Sequence, residues 1–195
     1  INISLLADDG AFVYLNGVLI ARDGVTDPDT FTKTSTLGGE SSYDDLAIIG
    51  DATLQPGLNL LAISIHQTNA TSSDLGFDLE LSAETGQVLT AANANDWAVL
   101  SAINPSTGGG FDPVVGHASQ PGDSDFNTTW NNQSFGSYIG VAYDGPDFTT
   151  GQQGPFAYGG VDGISSPNTV LPTPVSGSRY SAYFVKEIDG GVDGF

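Results

Sequence analysis

The stretch FVYLNGVLIA, residues 12–21, places Asn16-Gly17 between two apolar runs, with the acidic pair Asp8-Asp9 just upstream. Asn-Gly at the centre of a two-residue loop suits a type I′ turn, because both central positions need positive φ. Such a turn pairs Leu15 with Val18 and Val13 with Ile20 on one face, and Tyr14 with Leu19 on the other. Both faces of the hairpin are then apolar. It is expected inside a sheet with cover on both sides rather than at a bare edge.

Working outward, the same two-residue rhythm recurs. INISLLA (1–7) alternates Ile1, Ile3, Leu5 and Ala7 against Asn2, Ser4 and Leu6, as a half-buried strand does. In LQPGLNLLAISIHQT (54–68) a Pro56-Gly57 turn leads into a strand with Leu61, Ile63 and Ile65 inward and Ser64 and His66 on the opposite face. LGFDLELS (75–82) sends Phe77, Leu79 and Leu81 in and Asp78 and Glu80 out, and FTKTSTL (31–37) reads as a more exposed strand. GSRYSAYFVKEID (177–189) is a further strand. From 84 to 160 the texture changes to Gly, Asn, Asp and isolated aromatics, with strand candidates at 97–103 and 138–143. Helix-period stretches are nearly missing, so the fold class is all-β. Eight or more strands favour a jelly-roll β-sandwich, taken as one domain over 1–195 with a loop-rich connecting segment at 84–130.

The bulk composition excludes whole classes of partner. There are 4 Lys and Arg against 23 Asp and Glu, a formal charge of −19, which repels phosphate backbones and anionic lipid heads alike. No apolar run approaches the roughly 18 residues of a membrane helix. Cysteine and methionine are both missing, which removes disulfides, thiolate metal sites and a Cys nucleophile. The chain opens on Ile1 and is expected to be an excised or processed piece of a secreted, cell-surface protein.

Asp outnumbers Glu, and Asp belongs to turns and to calcium cages of oxygen ligands. Asp8 and Asp9 have two readings, a Ca²⁺ clamp with backbone carbonyls or a solvated turn. DSDFNTTWNNQS (123–134) begins as a calcium loop with Asp123, Asp125 and Asn127 at alternate positions. It lacks the Gly and Glu of an EF-hand, so only a non-EF calcium loop remains. Asp27, Asp29, Asp44 and Asp45 read as solvated acidic turns. His66 is either a hydrogen-bonding group for a sugar hydroxyl or a satisfied structural histidine. Trp97, Trp130, Tyr138 and Tyr158 are candidates for stacking on sugar rings, with core packing as the alternative for each Trp. H-E-x-x-H, G-x-S-x-G and Cys signatures are all missing, which leaves an acid pair of the glycoside-hydrolase kind as the residual enzymatic reading.

The segment ADDGAFVYLNGVLIARDG, followed by LQPGLNLLAISIHQTNATSSDLGFDLEL, resembles the galactose-binding-like jelly-roll modules of large secreted bacterial proteins. The YLNG hairpin with its L-x-P-G-x-N-x-L-A-I strand is similar to the sugar-binding domains of family 2 glycosidases. DDG followed by VYLNG resembles PA14-type adhesin domains, and that likeness implies Ca²⁺ at Asp8 and Asp9 beside a sugar site. In such modules the strand like YSAYFVKEI comes first and the hairpin follows. Here that order is permuted, so Phe195 and Ile1 are expected to adjoin, through a tandem repeat, a circular permutation or strand exchange with a neighbouring copy. The function expected is a non-catalytic structural and adhesive module assembling end to end with other copies of itself. The alternative is a Ca-dependent carbohydrate-binding module, with polysaccharide as its partner, serving a secreted enzyme.

Overall fold

In the computed structural model the Asn16-Gly17 turn has φ of 51° and 81°, the left-handed pair that a type I′ hairpin requires. The structure describes residues 1–26, 28–29, 33–38, 42–51, 53–83, 87–101, 103–104, 109–110, 149–171 and 181–191. Among them the strands are β1 (Asn2–Asp8), β2 (Gly10–Leu15), β3 (Val18–Asp23), β4 (Asp44–Leu46), β5 (Leu58–His66), β6 (Leu75–Ser82), β7 (Val88–Thr90), β8 (Trp97–Ser101), β9 (Ile103–Asn104), β10 (Gly109–Gly110), β11 (Thr149–Gln152), β12 (Phe156–Tyr158), β13 (Thr169–Val170) and β14 (Ser181–Asp189).

Two six-stranded sheets form the sandwich. One runs β11-β8-β14-β5-β2-β3; the other runs β13-β12-β6-β1-β4, with β7 also on β6. Every pairing is antiparallel except β12 with β13. Alternation decides what lies between the layers. Ile3, Leu5, Val13, Leu15, Leu61, Ile63, Ile65, Phe77, Leu79 and Leu81 all enter one core, as their period of two requires. Phe77 and Phe156 from one sheet meet Trp97 and Phe184 from the other, with Phe77 and Phe184 centroids 4.4 Å apart. Trp97 is therefore a core residue and not a sugar platform. The strand expected at 97–103 is present as β8, Trp97–Ser101, between β11 and β14, and β7 lies in the same 84–130 segment.

Two expectations change. Leu15 pairs with Val18 and Tyr14 with Leu19, but Val13 pairs with Ala21, because a bulge takes up Ile20. The bulge turns both Ile20 and Ala21 into the core, which strict alternation could not do. Among the described residues β3 is the edge strand of its sheet, and the 48–50 segment covers it, with Ile49 N–H donating to Ile20 O at 2.9 Å. The described part of FTKTSTL, residues 33–37, is not a strand. It belongs to the segment after β3 that lies over the outer face of its sheet.

Asn59 gives the L-x-P-G-x-N pattern a physical reason. Its Nδ2 donates to Gln55 O and Gly57 O, its Oδ1 accepts from Gln55 N–H, and the same Oδ1 accepts from Asn16 Nδ2 at 2.9 Å. Asn16 Oδ1 in turn accepts from Leu60 N–H. One buried amide thus ties the Pro56-Gly57 turn to the Asn16-Gly17 turn.

Strand directions fix the poles of the sandwich. Ser181 and Gly10 both pair with His66, whereas Asp189 pairs with Leu58 beside the Asn16-Gly17 turn. β1 reaches the His66 pole at Asp8, directly before β2, so its first residue, Asn2, lies toward the opposite pole, where β14 finishes. β7, next to the Ser82 partner of Asn2, packs against β14 across the core.

Candidate functional site: an acidic corner beside a sealed polar network

β1 passes from one sheet to the other through Asp8, Asp9 and Gly10, and the Asp8–Asp9 peptide is cis. Gly10 is required here by close approach. A Cβ on it would stand 2.5 Å from Ser35 Oγ and 2.8 Å from Asp23 O. Both Asp side chains are enclosed, at 5% and 4% exposure, so neither is the solvated turn residue that composition alone allows. Asp9 Oδ2 accepts from Thr68 N–H at 2.6 Å. The Asp8 carboxyl is pushed up to about 8, first by burial, then by its hydrogen bond to Asp9 and the charges of Asp9, Asp74 and Asp162. Asp8 thus keeps its proton at neutral pH, in a corner where carboxylates crowd together.

Beside the corner, on the outer face of β2, β5 and β14, lies a polar network. His66 is 0% exposed. Its Nδ1 is 2.8 Å from Ser181 Oγ and 3.0 Å from Lys33 O; its Nε2 is 2.9 Å from Ser64 Oγ and 3.0 Å from Asp29 Oδ1. Asp29 Oδ2 accepts from Tyr14 Oη–H at 3.0 Å and Ser64 Oγ–H at 2.8 Å. The Phe12 ring meets the imidazole edge-on at 5.4 Å. Burial raises the Tyr183 hydroxyl well above its ordinary range, and the Asp29 charge adds to it.

Ser181, His66 and Asp29 carry the residue types of a nucleophilic triad, but the arrangement is a clasp. The carboxylate comes from the segment that roofs the site, so lifting that roof to admit substrate would remove the acid. The roof is held further by Ser35 N–H to Gln67 O, Thr36 N–H to Gly24 O and Lys33 Nζ to Thr26 Oγ1. His66 is therefore a satisfied structural histidine, shut off from any sugar. Asp29 is not the solvated turn read from sequence. Its partners lie 15, 35 and 37 residues away in the chain, and no local signal links them.

Tyr158 is also enclosed, at 3% exposure in the main core, and its hydroxyl accepts from Gln67 Nε2 at 2.9 Å. Its ring faces the interior rather than a ligand. Asp123, Asp125, Asn127, Trp130 and Tyr138 lie outside the described residues.

On the outer face of the other sheet, Asp78 is buried and accepts from Tyr43 Oη–H at 2.6 Å and from the N–H groups of Asn93 and Leu79. Burial raises its carboxyl, and these hydrogen bonds pull the other way. Among the described residues no group of three or more His, Cys, Asp or Glu is arranged to hold a metal. Comparison of the chain with protein-family models, with curated proteins and with solved structures gives no match.

Proposed function

We propose that this chain is a non-catalytic extracellular module of the galactose-binding-like jelly-roll kind, structural and adhesive, serving as repeat unit or subunit of a cell-surface protein or filament. The observation that carries the reading is the shared pole at which β14 finishes and β1 starts. A connection from β14 to β1, the strand order of the galactose-binding-like modules, is then spatially open at that pole. The enclosed Ser181–His66–Asp29 network supports a non-catalytic role, because His66 with Lys33 O, and Asp29 with Tyr14 and Ser64, hold the segment after β3 against the sheet. The strongly acidic surface supports an ion-rich extracellular setting.

The Asp8 and Asp9 carboxylates are the groups that would hold Ca²⁺. Their oxygens are the hard ligands that calcium selects, with backbone carbonyls to complete its shell. A bound cation would displace the proton that burial and the neighbouring carboxylates now keep on Asp8. The test is sedimentation velocity of the chain in calcium and in chelator. Concentration-dependent species above the 20.1 kDa monomer, larger in calcium, are expected; a monomer under every condition overturns the assembling module.

A further inference from the structure

Aliphatic side chains left open to solvent gather at one pole of the sandwich. Among the described residues seven large apolar side chains are exposed, and Val18, Ile48, Ile49, Leu58 and Val88 are five of them. Val18 and Leu58 open β3 and β5, beside the Asn16-Gly17 and Pro56-Gly57 turns. β4 runs toward the same pole, since Asp44 pairs with Leu5 and Leu46 with Ile3, and Ile48 and Ile49 lie beyond its end. Val88 pairs with Ser82, the partner of Asn2. The other two, Tyr43 before β4 and Val170 on the β13 edge, lie apart from this cluster. At the pole Leu58, 68% exposed, forms one wall of a groove of about 260 Å³ whose other walls are Leu15, Asn16, Val18, Asp51, Thr53 and Gln55. The face is held rigidly. Asn59 ties the two turns together, and Gly57 N–H to Gly191 O and Gly190 N–H to Gly57 O, each 2.8 Å, fasten the end of β14 beside them.

We infer that this pole is the face on which two copies of the chain dock about a two-fold axis, each Leu58 seated in the groove of the other copy. The inference rests on the reading of the chain as a module that assembles with copies of itself, and it adds the face and the symmetry. Clustered aliphatics in water are a driving force for association. A cavity of about 150 Å³ already takes a benzene ring, so the groove has room for a leucine side chain. Two observations select a second copy as the occupant. An aliphatic cluster to match this one occurs, among the described residues, only at this same pole, so the contact is isologous and closes at two copies. β14 finishes and β1 starts here, so a link between consecutive copies in an array joins this pole of one to this pole of the next. That tether sets face against face at an effective concentration in the millimolar range. A face already rigid loses little freedom on docking. Asp51 and Asp189, both exposed at this pole, bring like charges together, a repulsion that salt screens.

The test is sedimentation of the whole chain in chelator, up to about 1 mM protein, at low salt and at about 0.5 M NaCl. A monomer–dimer equilibrium that stops at the dimer and shifts toward it as salt rises is expected. Leu58→Asn, close in size but polar, should raise the dissociation constant about tenfold, the worth of one leucine side chain, and Leu58→Asp should raise it further. The chain has no cysteine, so a single introduced thiol reports proximity. Thr53→Cys in the groove wall should give a disulfide-linked dimer on mild oxidation, and Asn69→Cys, exposed beyond the His66 end of β5, should not. This cross-link, which leaves Leu58 in place, decides if the Leu58 variants melt early. Larger species that Leu58→Asn leaves unchanged, or that cross-link through Asn69→Cys and not Thr53→Cys, overturn this face and leave the assembling module standing. An open series beyond the dimer, or a dimer weakened by salt, overturns the two-fold apolar contact. A monomer under every condition overturns the face and the assembling module together. A monomer that binds phosphatidylcholine vesicles, with binding lost in Leu58→Asp, overturns it too and gives the face to a lipid surface.

Discussion

Both ring nitrogens of His66 face oxygen, Asp29 and Ser64 on one side and Lys33 and Ser181 on the other. At this scale the buried polar groups of the outer face depend on one carboxylate. Asp29→Ala would take one acceptor from each of the Tyr14 and Ser64 hydroxyls and the carboxylate from beside the buried imidazole. Removing one member of such a buried set costs about 3–5 kcal/mol. The expected outcome is that loss in chemical denaturation, together with early proteolysis between residues 24 and 38; a loss under about 1 kcal/mol would contradict the clasp. Period-two alternation makes the outward polar side of β5, with Ser64 and His66, legible in the sequence. The acid that answers it is not legible, because Asp27, Asp29, Asp44 and Asp45 look alike until tertiary contact selects one. Tyr158 misleads for the same reason, since an aromatic among glycines reads as a plug or a platform until Gln67 is seen to donate to it.

At the scale of elements, the hairpin was specified locally in its turn and globally in its register. Asn16-Gly17 fixes the turn by positive φ, but the displacement of Val13 from Ile20 to Ala21 serves the core, which takes both Ile20 and Ala21. Asn59 couples two turns whose sequence signals are each sufficient alone. Asn59→Ala would leave Gln55 N–H and Asn16 Nδ2 without their common acceptor, and the unmet desolvation of such groups is worth about 1–3 kcal/mol each. A fall in the denaturation midpoint with an unchanged slope is expected, as for a folded state weakened but not loosened. A variant as stable as the parent would show that the turns hold independently. The failed strand at 33–37 has an equally local cause. Alternating Thr suits an exposed strand, yet this segment spends its backbone groups on Gln67 and Gly24 instead of a ladder.

For the whole molecule the acidic balance becomes a stability law. Asp8 in the folded chain holds its proton up to about pH 8, and Asp23 and Asp78 are raised as well, each first by burial. Their unfolded counterparts release protons near pH 4. The native state therefore binds more protons between about pH 4 and 8, and stability falls as pH rises through that window. Thermal unfolding in chelator should show a melting temperature that declines from pH 5 to pH 8, with a shallower decline in Asp8→Asn. A melting temperature that climbs over that range would refute the assigned burial of these acids. By itself the sequence determined the two-layer β architecture, the inward residues of β1, β5 and β6, and the Asn-Gly hairpin, because side-chain alternation and turn φ are properties of neighbouring residues. Tertiary structure alone decided that Asp29 closes over His66, that Ile20 is bulged, that Tyr43 reaches Asp78, and that β14 and β1 share a pole. Each of those rests on atoms brought together from distant parts of the chain, and burial, hydrogen bonding and charge act on distance in space.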